Sequence, residues 1–140
     1  MYEGKSLIEV LNDLRSRELG VIMQYMRHHY LVPGPDGVAL ADEFKSISIV
    51  EMRHAEDLAE RIDYLGGDPT TKAEPLMGVE AKTLAEMAAA DRDSEADAIA
   101  RYKEAVKLAD AEGDVTTRKL LEGILADEEE HHKTFGDMAS

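Results

Sequence analysis

Six side chains able to ligate a divalent cation recur in this sequence at one fixed offset. Glu51-Met-Arg-His54 has a near twin in Glu128-Glu-Glu-His131, and each is preceded 33 positions earlier by a lone glutamate, Glu18 and Glu95. Adding 77 to any member of the first set gives the second: Glu18 to Glu95, Glu51 to Glu128, His54 to His131, and also Tyr25 to Tyr102. Self-similarity at one offset, on chemically scarce residues, argues for two halves of one constructed site. Glutamate is abundant here but there are only 5 histidines, so His54 and His131 carry most of the specificity. On a helix, Glu-x-x-His projects a carboxylate and an imidazole from the same face. Four carboxylates balance two divalent ions, and an oxygen and imidazole donor set suits Fe(II), Mn or Zn over thiolate-loving metals. Without metal, the same carboxylates would be like charges crowded in a low-dielectric core.

The elements that carry these residues read as helices. Ser6-x-x-Glu9 is a capping box opening the first, in which Leu7, Leu11, Leu14, Glu18, Val21, Tyr25, His28 and Val32 form one apolar stripe interrupted by the glutamate. Pro33-Gly-Pro-Asp-Gly37 reads as the turn that follows, with the second helix starting near Ala39 to Asp42. That helix runs Phe44, Ile47, Glu51, His54, Leu58, Ile62 and Leu65 along one seam, with a second stripe of Ile49, Met52 and Ala59 that calls for a neighbour outside the bundle. A connection of fourteen residues from Leu65 to Val79 can span up to ~46 Å, more than the ~37 Å of a 25-residue helix, so it can cross the whole bundle. The third helix carries Leu84, Ala88, Asp91, Glu95, Ala98, Tyr102, Ala105 and Ala109. After a stop at Gly113-Asp114, the fourth carries Leu121, Ile124, Glu128, His131, Phe135 and Met138. The expected fold is all-α, an antiparallel four-helix bundle of two hairpins joined by a long crossover. Glu18 and Glu51 lie 18 and 15 residues either side of position 36, and Glu95 and Glu128 do the same about position 113. All four carboxylates therefore meet at one level.

Glu129-x-x-His132 has the same spacing as Glu128-x-x-His131, but Ile124 and Phe135 extend the 128/131 stripe, which fixes the register. Tyr25 and Tyr102, each seven residues beyond a lone glutamate, are candidate donors to ligand carboxylates, with core packing the other reading. His28 and His29 have no repeat partner and are read as structural or surface residues.

The 140 residues suffice for one domain over 1–140, and the absence of cysteine excludes disulfides, iron–sulfur clusters and a four-cysteine iron centre. A net charge of −14 repels nucleic acid and anionic lipid and attracts cations. Neither a signal peptide nor a membrane-length apolar run is found, so a cytoplasmic protein is expected.

At these residues the chain resembles the bacterioferritins, the haem-containing branch of the ferritin-like superfamily. The resemblance runs from about Ser6 to Phe135 on Arg17-Glu-Leu-Gly-Val-Ile-Met-Gln-Tyr25, Glu51-Met-Arg-His-Ala55, Glu95 and Ile124-Leu-Ala-Asp-Glu-Glu-Glu-His131. It implies a ferroxidase and iron store: two Fe per chain bound as Fe(II) by the six ligands, O₂ or H₂O₂ as electron acceptor, and ferric mineral kept inside a homo-oligomeric shell. It also implies that Met52 is an axial ligand of a haem shared at a subunit two-fold, either haem b or a coproporphyrin-type haem, with a ferredoxin-type protein as candidate reductant. The chain stops nine residues after His131, without the fifth helix that lines the four-fold pores of larger family shells. The expected assembly is therefore a short-form shell of about twelve chains built from dimers. The alternatives are a rubrerythrin-like di-iron peroxidase without storage and a DNA-protecting starvation-type shell.

Overall fold

A computed structural model describes residues 1–140, and they form four helices with no strand: α1 (Leu7–Leu31), α2 (Gly34–Tyr64), α3 (Leu84–Ala111) and α4 (Val115–Ala139). Helix α1 opens as its sequence dictates. The Ser6 side chain accepts from the Glu9 amide, and the Glu9 carboxylate accepts from the Ser6 amide, both at 3.1 Å. Thr83 and Glu86 repeat the device at α3, and Asp114 caps α4 by accepting from the Thr117 amide. Every residue of the α1 stripe is buried, and so is every one of the α4 stripe.

Helix α2 begins earlier than the proline and glycine content suggests. The expected start near Ala39 to Asp42 is overturned: only Val32 and Pro33 separate the two helices, and Pro35 lies inside the first turn of α2. A first-turn proline loses no helical hydrogen bond, because the amides there have no partner in any case. Gly37 is needed for the tight corner, since a Cβ there would stand 2.9 Å from Val32 Cγ2.

The two hairpins, α1 with α2 and α3 with α4, pack through α1 against α3 and α2 against α4. The connection between α2 and α3 is bonded along the length of α1. Asn12 exchanges hydrogen bonds with Asp68 and Thr70, Ser16 Oγ donates to the Lys72 carbonyl, the Glu74 amide donates to the Ser16 carbonyl, and the Met77 amide donates to Gln24 Oε1. Gly20 lets the backbones meet: a Cβ there would lie 2.6 Å from the Glu74 carbonyl oxygen. Because the crossover returns the chain to the far end of the bundle, α3 and α4 repeat the relation of α1 to α2 and the repeated ligands come to one level.

The core is divided there. One apolar cluster, with Leu11, Leu14, Leu58, Ile62 and Leu121, fills one half of the bundle. Another, with Val21, Phe44, Ile47, Met87 and Phe135, fills the other half. Between them lies a layer of wholly buried ionisable groups. No helix is long and apolar enough to cross a membrane.

Candidate metal centre

Glu18, Glu51, Glu95 and Glu128 are each 0 % exposed, with His54 and His131 buried beside them. Each helix places its own contribution: α1 gives Glu18, α2 Glu51 and His54, α3 Glu95, α4 Glu128 and His131. The two imidazole rings lie 6.3 Å apart between centroids, with their planes inclined at 29°. Nδ1 of His54 stands 3.7 Å from Glu18 Oε2, 3.1 Å from Glu51 Oε1 and 3.4 Å from Glu128 Oε1. Nδ1 of His131 stands 3.3 Å from both Glu51 Oε1 and Glu128 Oε1 and 3.5 Å from Glu95 Oε1. The donors thus form two overlapping groups, Glu18–Glu51–His54–Glu128 and Glu51–Glu95–Glu128–His131, with ligand atoms within 4.8 Å of one another in each. Glu51 and Glu128 belong to both.

One atom of each of these six residues is buried without a hydrogen-bond partner: Glu18 Oε2, Glu51 Oε1, His54 Nδ1, Glu95 Oε2, Glu128 Oε1 and His131 Nδ1. An unpaired buried polar atom costs roughly 1–3 kcal/mol, so six converging on one layer are not tolerated for packing's sake. Lone pairs of carboxylate and neutral imidazole aimed at a common point are what an oxygen-preferring divalent cation takes. The residues present therefore fit a pair of such ions.

The remaining atoms are held by neighbours. Tyr25 donates to Glu95 Oε1 at 2.9 Å and Tyr102 to Glu18 Oε1 at 2.8 Å, the repeat-related arrangement that the spacing anticipates. Burial, with the adjacent glutamates, keeps both phenols well above their usual pKa and so protonated as donors. On the outer side of His54, Nε2 lies 2.8 Å from Asp127 Oδ2, a contact that fixes which nitrogen faces the centre. Glu129 is exposed and His132 is only partly buried, in keeping with the 128/131 register.

Electrostatics follow from this crowding. Burial raises the Glu95 carboxyl pKa even though Arg17 stands nearby to lower it. Burial alone would lower His131, but Glu128, Glu51 and Glu95 outweigh it and push its pKa up to about 12; His54 is raised in the same way by Glu128, Glu18 and Glu51. Without metal, protons on the imidazoles take the cations' place.

Sequence reasoning missed Arg17 and Asp127. Arg17 lies beside the α1 stripe yet is only 2 % exposed, and its guanidinium enters the carboxylate layer. Nη1 donates to Glu18 Oε1 at 3.0 Å, to Glu51 Oε2 at 2.7 Å and to Glu128 Oε2, while Nη2 donates to the Ser94 carbonyl at 3.1 Å. His28, read as structural or surface, is buried against Asp91 at 2.7 Å in a neighbouring polar group with Gln24 and Ser94. Met52 points away from all of this. It is 54 % exposed on the outer face of α2, with Met23 of α1 51 % exposed.

Comparison with known proteins adds independent support. Residues 8–140 match the model of the ferritin-like domain. A bacterioferritin of Desulfovibrio desulfuricans is 40% identical over 134 residues, covering 96% of this chain and 74% of that protein. A bacterioferritin of Streptomyces coelicolor is 38% identical, covering 94% of this chain and 78% of its own. Among solved structures, the Desulfovibrio desulfuricans bacterioferritin, described with its diiron site in different catalytic states, superposes with a TM-score of 0.88 at 39% identity, over 95% of this chain and 77% of that one. The Rhodobacter capsulatus bacterioferritin also gives 0.88, at 30% identity over 95% and 82%, and is described with a metal-free dinuclear site and haem iron in a crystallographic special position.

Proposed function

The chain belongs to the bacterioferritin family of ferritin-like proteins, and from that premise we propose that residues 1–140 form one di-iron domain acting as a ferroxidase and iron store. The observation that carries this reading is the set of six unpaired ligand atoms, one on each of Glu18, Glu51, His54, Glu95, Glu128 and His131. Two Fe(II) ions per chain are the substrate. Bound there, iron supplies the redox chemistry, passing electrons to O₂ or H₂O₂ and becoming Fe(III).

The chain's own residues do the rest. His54 and Glu18 would hold one ion and His131 and Glu95 the other, with Glu51 and Glu128 available to both. Tyr25 and Tyr102 orient the two outer glutamates, and Asp127 holds His54 with Nδ1 inward. Two apolar clusters seal the layer on either side and strengthen each charge interaction within it. The imidazoles must lose their protons for iron to bind, so uptake releases protons. A net charge of −14 draws cations toward the protein.

Storage as ferric mineral requires a shell, which we read as a cytoplasmic homo-oligomer of about twelve chains assembled from dimers. Met23 and Met52 mark the dimer face on α1 and α2, because two half-exposed thioethers on adjacent helices leave apolar surface to be covered. Paired Met52 sulfurs across a two-fold would hold one haem per dimer, haem b or a coproporphyrin-type haem. The special position of the haem iron in the Rhodobacter capsulatus relative favours such sharing.

Stopped-flow oxidation of Fe(II) by the wild type, Glu51→Ala and His131→Ala tests the assignment. Rapid oxidation of about two Fe(II) per chain is expected to vanish in both variants while helicity is kept, since ligands acting as a unit are not additive. Unchanged rates in both would refute it.

A further inference from the structure

One cation is built into the centre. The Arg17 guanidinium hydrogen-bonds three of the four glutamates, and its Nη2 lies 3.4 Å from Oε2 of the fourth, Glu95. It sits behind the carboxylates as seen from the imidazoles. Glu51 and Glu128 each give Oε2 to Arg17 and turn Oε1 toward His54 and His131. These same two glutamates belong to both ligand groups. A carboxylate can serve two ions with both of its oxygens only if the second oxygen is released. Arg17 and a full complement of metal therefore draw on the same two atoms.

An uncompensated quartet of buried carboxylates would repel itself apart, and a lone buried guanidinium would be equally unstable. Each supports the other when no metal is bound. On its other side Arg17 borders a cavity of about 10 Å³, the space of roughly one water, beneath the crossover, with Glu74 and Asp97 on its wall. Arg17 Nε also lacks a partner. Glu74 and Asp97 are themselves paired with Arg101, so that side offers the guanidinium no free carboxylate.

We propose that Arg17 is a tethered counter-ion that holds the carboxylate cluster in its ligating arrangement when metal is absent and competes with incoming cations for Glu51 and Glu128, thereby setting how tightly metal is kept. The proposal rests on the di-iron reading. Its consequence is a trade: Arg17 stabilises the metal-free protein and weakens metal retention, which suits a centre that must pass iron on rather than keep it. A fixed positive charge a few ångströms from a divalent ion lowers affinity by on the order of tenfold or more, even when an effective dielectric near ~20 and partial compensation by the carboxylates are allowed for.

The test uses Co(II), which reports coordination by its visible bands and is not oxidised under argon. Chelator-stripped wild type, Arg17→Met and Arg17→Lys are each titrated against a competing chelator and melted with and without cobalt. Arg17→Met keeps an unbranched, flexible side chain and removes its charge and its donors. It is expected to bind Co(II) at least tenfold more tightly with unchanged stoichiometry, to melt lower when metal-free, and to gain more from cobalt. Arg17→Lys keeps the charge but cannot bond all these oxygens at once, so it should fall between the other two on both measures. If Arg17→Met folds only with cobalt present, the stabilising half of the proposal is met directly, and the Arg17→Lys titration decides the competitive half. Cobalt affinity equal to or below wild type in the folded variants overturns the proposal and leaves the metal centre standing. Failure of the wild type to take up any cobalt would instead remove the di-iron reading.

Discussion

Removing one phenol hydroxyl from each half of the centre should have unequal effects, although Tyr25 and Tyr102 are repeat-related and make bonds of nearly equal length, 2.9 and 2.8 Å. Tyr102→Phe takes a donor from Glu18 Oε1, but that oxygen keeps Arg17 Nη1 at 3.0 Å. Tyr25→Phe takes the only hydrogen-bond donor from Glu95 Oε1 and also leaves Arg17 Nη2 without its 3.3 Å acceptor. Hydrogen bonds to a buried charge contribute about 1.5–3 kcal/mol, and leaving a partner unpaired adds to the loss. Tyr102→Phe should therefore cost about 1.5 kcal/mol and Tyr25→Phe about 3 kcal/mol. Proton uptake by Glu95, whose pKa burial already raises, limits the larger loss. At roughly 3 °C per kcal/mol for a domain of this size, the metal-free melting points should fall by about 5 and about 9 °C. Thermal melts of chelator-treated protein at neutral pH measure both. Equal losses, or a larger loss for Tyr102→Phe, would show that the Arg17 bond does not compensate Glu18 and would refute the reasoning.

Other expected outcomes follow from the same geometry. Asp127→Asn should weaken binding of one of the two metal ions about 10- to 100-fold and leave the other nearly unchanged, read as a split in a Co(II) titration, because only His54 has a carboxylate on its outer nitrogen. Met52→Leu should erase the haem absorption bands after haem-supplemented expression without altering the initial rate of Fe(II) oxidation; a retained spectrum would exclude Met52 as axial ligand. Light scattering at physiological salt should give about 186 kDa, twelve chains of 15.5 kDa, and a mass near 31 kDa would leave a dimeric ferroxidase without storage.

Much of the architecture is legible because burial and periodicity leave a strong imprint on helices. The stripes of α1 and α4 end up wholly inside, and the glutamates within them stand out as charges where a core demands apolar residues. The start of α2 was hidden by a real ambiguity: Pro33, Gly34, Pro35 and Gly37 are turn residues, yet proline in a first helical turn costs nothing. Arg17 was hidden for another reason. It is off the stripe, and it is one of 16 basic residues, so no periodicity marks it as buried. Asp127, half-exposed and one residue before a ligand, looks like any surface acid until the helices are assembled.

The 77-residue offset holds for the candidate ligands and for Tyr25 and Tyr102, and it fails at Arg17 and Asp127. The counterpart of Arg17 is Ser94. One guanidinium crosses toward α3 and donates to the Ser94 carbonyl, occupying space that a second arginine would need and already bonding the glutamates that it would seek. A small residue therefore stands opposite. The counterpart of Asp127 is Val50, so His131 lacks the outer carboxylate that His54 has. The result is a nearly symmetric ligand cage in an asymmetric setting. Two ions held by like donors would differ in how firmly their imidazole is oriented and in how close they lie to Arg17's hydrogen bonds. The chain would thus make the two proposed metal positions unequal without changing a single ligand.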